Sequence, residues 1–571
     1  MRTRRLPFAL TPLLLLASCS GNTPTTSGSS GSGGGAATVA GGGGTAPVAT
    51  GGATAAAGSA GVPNGTGGSS AGSAGALSSG GTGTGTAGAP PSGGAGGMSA
   101  SGSGGGAGSP GLATCPYTAP TVPTPFPQNW TAAKVTQFNA NGGWTWYNDE
   151  RVVVDAAAGK IVVSSAASSA SSQTQNTSID VVIHDLATGQ NTKKSLGTLS
   201  YSDDHNNGAI VVKAPGEYFV AYAHHNVDCN TYWANYAGGA WAATAIYGWG
   251  THGCTTNPKK NAVTYNNIWR MSSEAGALYN FVRSVDTSPS FLHSTDNGAT
   301  WKLAGRLTGS PQVGYNAGYY KYWGNGVDRI DFFATESHPR DSNTSVYHGY
   351  VQGKKSYTSA GVLVDDNIFD TAATTGAVVP EITKFTKVFS AGDMLGGVPL
   401  RRLWNFDVAR YEDGTVGVLW QGREKECSDK LNCTPGHHVA YSRFDGTTWK
   451  STRLVKGGRT LYRDKTDWWE EDYLGGAALD PDDPHAVYVS TNIDPRDDKT
   501  EYPVNEIWKG VSCDNGATFT WTPITMNSEK ENLRPVVPKW DVKNKALLWF
   551  RGTYNTAQMY SAEVVGIIDR K

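Results

Sequence analysis

Residues that can move protons or bind anions recur at equivalent positions along this 571-residue chain. His205 precedes one strand-like run, and His225 follows the next. Tyr265 and Arg283 hold the same two positions around the following pair of runs. In a β-propeller blade, residues before the innermost strand and after the second strand meet on one face, around the central channel. The spacing therefore predicts a single polar pocket on that face.

Other polar residues occupy similar positions before or after later strand-like runs. We expect them to line the same pocket and to bind substrate: His338, Arg340, Asp407, Arg423, Tyr473 and Arg534.

Short β-branched and aromatic runs separated by turn residues dominate the chain after about residue 114, with little helical periodicity. Strand pairs with trailing hairpins begin near Trp144, Gly208, Thr264, Tyr319, Leu403, Tyr473 and Asn532, with a longer insertion near 366–400. Seven units of this length predict an all-β, seven-bladed β-propeller over 114–571. A β-sandwich or β-helix explains the recurring positions less well.

Two segments, 294–301 and 512–519, match an Asp-box pattern, S-x-D-x-G-x-T-W/F. The Asp caps a tight hairpin, the Gly takes a positive φ, and the final aromatic residue packs between blades. We expect both boxes to be structural and to take no part in chemistry.

The N-terminus has the features of an export signal. Three arginines precede an apolar stretch, Leu6–Ala17, that is too short to span a bilayer. The segment ends in LASC, which resembles a bacterial lipoprotein box, so we expect 1–18 to be removed and Cys19 to be lipidated. Ser20 after the Cys favours the outer membrane or cell surface. Residues 19–113, rich in Gly, Ser, Ala and Thr, predict a disordered tether.

Charge composition excludes some partners. Once the leader arginines are set aside, 43 basic residues face 47 acidic ones. There is no basic field to bind nucleic acid, and no polycationic patch for anionic lipid. The only membrane contact expected is through the lipid anchor, and we expect a monomer.

Six cysteines remain after Cys19, an even number that suggests disulfides in an exported protein. The expected pairs are Cys229–Cys254, Cys427–Cys433 and Cys115–Cys513. Zinc bound by Cys427, Cys433, His437 and His438 is the alternative for the second pair.

Several segments, in order, resemble the BNR-repeat propeller family, which includes ulvan lyases as well as lyases and hydrolases acting on rhamnosyl-glucuronate linkages. The resemblance covers most of 144–565, with Gly208 as a departure where the family has Pro. It rests on SDDHNN (202–207), YAHHN (222–226), TYNN (264–267), FVRS (281–284), SHPRD (337–341), VYHGY (346–350), YLGGAALDPDDPHAVYVS (473–490) and NLRPVVP (532–538).

The resemblance implies that His205, His225, Tyr265 and Arg283 are the catalytic residues of a polysaccharide lyase. β-Elimination on a uronic acid removes the C5 proton while negative charge spreads onto the adjacent carboxylate. The reaction needs a base, an acid and cationic groups. Tyr265 or His205 is expected to be base and acid, with His225 and Arg283 on the carboxylate. An acidic polysaccharide is the expected partner.

Two other functions fit the same residues. A glycoside hydrolase needs paired carboxylates, which Asp407, Glu471 and Asp472 can supply. A glycan-binding propeller needs the aromatic and arginine residues but no base. No cofactor is required by any of the three. A structural Ca²⁺ in the central channel is kept as an alternative, although no ligand cluster demands one.

Overall fold

The structure is a computed structural model that describes residues 117–168, 177–199, 202–256, 259–309, 317–370, 379–427, 434–462 and 470–571. The chain divides into two units, 1–103 and 104–571, and every described residue lies in the second. The predicted signal peptide, Cys19 and the tether fall outside the described residues. Helical structure in the described part is limited to short 3₁₀ turns, and none of it is long and apolar enough to cross a membrane.

Seven antiparallel sheets follow one another along the chain, each beginning with an inner strand and stepping outward. We number them as blades 1 to 7. Blade 1 has strands Val152–Asp155, Lys160–Ala166, Thr177–Asp185 and Asn191–Leu199. Blade 2 has Ala209–Ala214, Glu217–Ala223 and Asn230–Ala237, with Ala240–Trp241 and Ala245–Gly248 both on its third strand. Blade 3 has Thr264–Met271, Ala277–Arg283, Pro289–Ser294 and Lys302–Arg306.

Blade 4 has Tyr320–Gly324, Arg329–Thr335, Val346–Gln352, Lys355–Thr358 and Leu363–Asp365, with Thr386–Phe389 added to its third strand. Blade 5 has Arg401–Arg410, Val416–Arg423, His437–Phe444 and Trp449–Gly458. Blade 6 has Ala477–Leu479, Ala486–Ile493, Glu501–Val511 and Thr520–Pro523. Short pairs outside the blades are Trp130–Thr131 with Thr525–Met526, Thr255–Thr256 with Lys259–Lys260, and Met394–Leu395 with Val398–Pro399.

Blade 7 closes the ring. Its inner strands are Glu531–Val536, Lys545–Thr556 and Met559–Asp569, and its outer strand, Val135–Asn139, comes from the start of the domain. Because the first strand completes the last sheet, the two ends of the domain are tied together. The predicted seven-bladed, all-β propeller is confirmed.

Each Asp box forms the tight hairpin between the third and fourth strands of its blade, blade 3 for the first box and blade 6 for the second. In the first box, Asp296 accepts hydrogen bonds from the box serine and from the backbone N–H and hydroxyl of Thr300. Gly298 has a φ of 84°, and an added Cβ would lie 2.9 Å from the Phe219 ring of blade 2. Trp301 packs on the same ring, with centroids 5.4 Å apart. The second box, 512–519, repeats these bonds.

The segment 144–148 blocks the central channel rather than starting a blade, so the expectation that the first unit begins near Trp144 is wrong by eight residues. The Trp146 ring lies 5.3 to 6.1 Å from Trp404, Phe406 and Tyr473. These rings pack together at the centre of the ring of blades, so the segment is held by side-chain contacts and not by strand pairing. The plug, as we call 144–148, separates one face of the propeller from a cavity of about 420 Å³ lined by the inner strands of all seven blades.

The Cys229–Cys254 disulfide is confirmed, with Cα atoms 5.7 Å apart. Cys427 and Cys513 are also disulfide-bonded. Their expected partners, Cys433 and Cys115, lie outside the described residues.

The zinc alternative is not supported at the residues described. Cys427 is disulfide-bonded and so offers no thiolate. His437 bonds Asp472 at 2.9 Å, and His438 bonds Glu424 at 2.5 Å. Both imidazoles already have carboxylate partners.

Candidate active site

The structure brings together the four residues that the sequence singled out first. His205 lies in a 3₁₀ turn just before blade 2, and His225 follows the second strand of that blade. Their rings stack, with centroids 4.2 Å apart. The Tyr265 ring, at the start of blade 3, lies 5.8 Å from His205 and 6.2 Å from His225. The Arg283 guanidinium, at the end of the next strand, lies 5.0 Å from the Tyr265 centroid.

The two imidazoles share one carboxylate. Asp203 accepts from Nδ1 of His205 at 2.6 Å through one oxygen and from Nδ1 of His225 at 2.8 Å through the other. Asp204 adds a second contact to Nδ1 of His205 at 2.7 Å. We call these four residues the histidine cluster. Its carboxylates are buried, so the charges act on one another with little screening.

The cluster holds its two histidines in different protonation states. Burial opposes the charged form of His205, but Asp203 and Asp204 outweigh it and raise its pKa to about 9. Burial lowers the pKa of His225 to about 4, and neighbouring His205 reinforces this against the pull of Asp203. At neutral pH the site therefore holds one imidazolium and one neutral imidazole, stacked on each other.

The motif SDDHNN builds this arrangement through its own hydrogen bonds. Asp203 caps the turn by accepting from the His205 backbone N–H at 3.0 Å. Asn206 accepts from the His225 backbone N–H at 2.7 Å, which fixes the end of the second strand against the turn. Asp203 and Asn206 thus position both histidines.

Asn148 of the plug connects the histidine cluster to Tyr265. Its amide nitrogen donates to the His205 carbonyl at 3.1 Å, and its amide oxygen accepts from the Asn266 backbone N–H at 2.8 Å. Tyr265 has a φ of 63°, in the left-handed region that costs a non-glycine residue free energy. The bond to Asn266 helps to hold Tyr265 in this conformation.

A second phenol, Tyr319, lies on the other side of Arg283 and was not singled out as a functional residue from the sequence. Its ring centroid is 5.5 Å from the guanidinium. Its hydroxyl lies 3.0 Å from Nε2 of His338. Nδ1 of His338 accepts from the Arg340 backbone N–H at 3.2 Å, so a neutral ring carries its proton on Nε2 and donates to Tyr319. Burial, with Arg340, lowers the pKa of His338 to about 3 and keeps the ring neutral.

Tyr473 also joins the site. Its hydroxyl is 3.3 Å from Nε2 of His205, and its ring packs 5.3 Å from Trp146 of the plug. Burial raises the pKa of this phenol well above its usual value, so it stays protonated. The Tyr473 hydroxyl therefore contacts the His205 imidazolium at Nε2.

Two of the predicted substrate-binding arginines are instead buried partners of carboxylates. Arg534 is 2% exposed and bonds Asp204 and the Tyr554 hydroxyl. Arg423 is 3% exposed and bonds Glu471 and Asp472. Burial of both partners makes these pairs structural. Because Arg534 already pairs with Asp204, it supports the histidine cluster and does not make the predicted contact with substrate.

Arg340 lies nearer the surface. It bonds Glu470 at 2.6 Å and Asp341 at 3.0 Å, while its backbone N–H orients His338. Its contact with substrate stays a prediction, and the structure adds a positioning role through His338.

Asp407 does not belong to this group. It lines the cavity on the far side of the plug, where it accepts from the backbone N–H groups of Val408 and Leu479. Burial raises its pKa. The predicted contact between Asp407 and a substrate at the histidine cluster is therefore not supported.

The carboxylates considered for a hydrolase are mostly engaged. Asp472 accepts from His437, Trp404 and Arg423 at 2.9 to 3.1 Å. Glu471 is paired with Arg423. The neighbouring Glu470, which was not among the carboxylates named from the sequence, differs, because burial raises its pKa to about 7 against the effect of Arg340.

The histidine cluster also has the composition of a metal site. One ligand atom from each of Asp203, His205 and His225 lies within 4.8 Å of the others. The same atoms satisfy one another by hydrogen bonds at 2.6 and 2.8 Å. Hydrogen bonds between Asp203 and the two imidazoles are therefore sufficient to explain the arrangement.

Comparison with known proteins agrees with the fold. Residues 144–394 match the model of a BNR repeat-containing family. No curated protein matches this chain. Among solved structures, it is similar to an ulvan lyase bound to -[GlcA(1-4)Rha3S]-, with a TM-score of 0.50, 13% identity, and coverage of 76% of this chain and 95% of that one.

Two more distant structures are an α-L-arabinofuranosidase from Fusarium graminearum and a lectin from Burkholderia pseudomallei. Their TM-scores are 0.35 and 0.39, each at 9% identity, covering 77% of this chain and 98% and 96% of theirs. Identities this low show a shared fold only. The chain is thus a seven-bladed β-propeller whose residues 144–394 match the BNR repeat-containing family.

Proposed function

We propose that this protein is a polysaccharide lyase that cleaves uronic-acid-containing glycans by β-elimination. One observation carries the proposal. An imidazolium, a guanidinium and a phenol, from His205, Arg283 and Tyr265, converge on one face of the propeller. These are the groups that removal of a proton next to a carboxylate requires.

Tyr265 is the proposed base and acid. It takes the C5 proton as a phenolate and returns a proton to the leaving glycosidic oxygen, so one residue serves both halves of the elimination. Arg283 lies beside the Tyr265 ring and can offset negative charge on the reacting groups. Its position between Tyr265 and Tyr319 makes Tyr319 a second candidate for proton transfer.

His205 is proposed to neutralise the uronate carboxylate together with Arg283. A pKa of about 9 keeps His205 charged near neutral pH, which argues against a role as base. Neutral His225 stacks on it and shares Asp203, so we assign His225 to orientation of the imidazolium. This changes the division of roles expected from the sequence.

The hydrolase alternative is favoured by one observation, the raised pKa of Glu470, which suits a general acid. It lacks a matching second carboxylate among the described residues, because Asp472 and Glu471 are held by buried partners. The similarity in fold to an ulvan lyase is consistent with the lyase proposal. We also propose that the protein acts at the cell surface as a monomer, anchored through a lipidated Cys19.

The proposal is tested by incubating the purified full chain with ulvan and other uronate polymers. The expected product carries an unsaturated uronate, seen as new ultraviolet absorbance. Tyr265→Phe should reduce this activity by about 10²-fold or more. Tyr236→Phe, a tyrosine on the third strand of blade 2, is the matched control and should leave activity unchanged.

Free reducing ends without the absorbance would replace the lyase by a hydrolase. Binding without either product would indicate a lectin. Full activity of Tyr265→Phe, with loss of activity in Tyr319→Phe, would move the proton-transfer role to the second phenol.

A further inference from the structure

The cavity on the far side of the plug is separate from the candidate active site. It has a volume of about 420 Å³ and is lined by inner strands of all seven blades. Cavities of this size hold small organic molecules. Gly326 and Lys539, at its outer end, are exposed, so the cavity opens on the face opposite the histidine cluster.

Two carboxylates face this cavity without a cationic partner. Neither Glu150 nor Asp407 forms an ion pair with a described residue, and both are only partly covered by protein. Asp407 accepts from two backbone N–H groups, of Val408 and Leu479. Burial, reinforced by the charge of Asp149, raises the pKa of Glu150 to about 8. A carboxylate in this state lacks a compensating positive charge.

The neighbouring charges do not supply that compensation. Lys321 and Arg151 both bond Oδ1 of Asp149, at 2.7 and 3.1 Å. Oδ2 of Asp149 has no hydrogen-bond partner, although the residue is 2% exposed and lines the cavity. Three carboxylates therefore face two cations at the inner end of the cavity, and Glu150 keeps its proton near neutral pH because burial and the lack of a third cation disfavour its charged form.

Apolar side chains line the cavity between these carboxylates and its outer end. Val152, Ile210, Ile268 and Val536, from four different blades, line the shaft. Aromatic rings stand toward the outer end, where the Lys539 ammonium lies 5.5 Å from the Trp323 centroid. Arg270 and Lys539 also line the cavity, and Lys539 is exposed at its outer end, away from the three carboxylates.

We propose that this cavity binds a small organic cation, with a protonated primary amine at Glu150 and Asp407 and an apolar body along the shaft. An ammonium group donates three hydrogen bonds and supplies the positive charge that allows Glu150 to ionise. Hydrocarbon walls bury the body of the ligand. Ca²⁺ fits less well, because it takes six to eight oxygen ligands and Lys321 and Arg151 lie beside the carboxylates.

The inference does not depend on the proposed lyase activity, since the plug separates the two sites. The test uses the full chain and benzylamine, with calorimetry and thermal melting as readouts. Benzyl alcohol is the neutral isostere, and KCl and CaCl₂ are tested in parallel. We expect saturable binding of benzylamine and a rise in Tm, with benzyl alcohol binding at least about tenfold more weakly.

Glu150→Gln should weaken benzylamine binding by about tenfold or more, because it removes the charge while keeping the shape. Asp407→Asn is the second variant and serves if Glu150→Gln does not fold. His205→Gln, at the other face, is the matched control and should bind benzylamine normally.

Three results would overturn the inference: no saturable binding, equal binding of benzyl alcohol, or unchanged binding by both carboxylate variants. Tighter binding of CaCl₂ than of benzylamine would also overturn it, in favour of a metal site.

Discussion

The free energy of unfolding should fall both above and below about pH 6.5, and each of the two stacked histidines should account for one of these losses. His205 has a pKa raised to about 9 in the folded protein, so its stabilising effect is fully present below 6.5 and is lost as pH rises through 9. His225 has a pKa lowered to about 4, so its contribution is lost as pH falls from 6.5 toward 4. Each perturbation is removed by substitution to Gln.

The magnitudes follow from these values. A change of one in pKa corresponds to about 1.4 kcal/mol, so each histidine accounts for about 3 kcal/mol across its range. Both side chains are mostly buried, at 6% and 15% exposed, so solvent screening reduces these figures only modestly. Between pH 7 and 10 the wild type should lose about 2.5 kcal/mol more stability than His205→Gln does.

The assay is urea unfolding followed by tryptophan fluorescence, at intervals from pH 4 to pH 10. The difference between wild type and each variant isolates one histidine from the other titrating groups. His205→Gln should flatten the alkaline limb and His225→Gln the acid limb. Identical pH profiles for wild type and His205→Gln would refute the assignment of an imidazolium at this site.

Three further predictions concern the groups around the site. Asn148→Ala should lower kcat about tenfold or more with little change in KM. Asn148→Asp keeps the acceptor for the Asn266 N–H and should retain more activity. Equal loss in both variants, or no loss in either, would show that Asn148 does not position Tyr265. Arg534→Met leaves Asp204 buried without its partner and should cost about 3 to 5 kcal/mol in urea unfolding, and an unchanged midpoint would contradict the pairing. EDTA should not reduce lyase activity, because the histidine cluster is satisfied by protons; loss restored by Zn²⁺ would reverse this.

The convergence of distant residues could be predicted because it depends on strand direction alone. An inner strand that starts on one face is followed by a strand that returns to that face. This rule places His205, His225, Tyr265 and Arg283 together without any knowledge of their contacts. It also explains why seven units could be counted from alternating strands and turns.

What the sequence could not predict are features that depend on pairing between distant residues. Arg534 has the residue type of an anion ligand, and only the structure shows that Asp204, 330 positions earlier, already neutralises it. The plug begins with aromatic residues, which are also common in β-strands. Residue type alone therefore does not distinguish the plug from the first strand of a blade. Tyr319 directly precedes the first strand of blade 4, and its partner His338 becomes evident only when both residues are placed.

We propose that the glycosidic bond is broken by elimination on the propeller face that carries His205, His225 and Tyr265. The most direct measurement is mass spectrometry of products formed from a uronate polymer in H₂¹⁸O. Elimination predicts an unsaturated uronate at the new non-reducing end, with no ¹⁸O incorporated by the cleavage itself, and Tyr265→Phe should form at least about 10²-fold less of this product. A saturated product carrying ¹⁸O from solvent at the cleaved bond would instead show that the bond is hydrolysed.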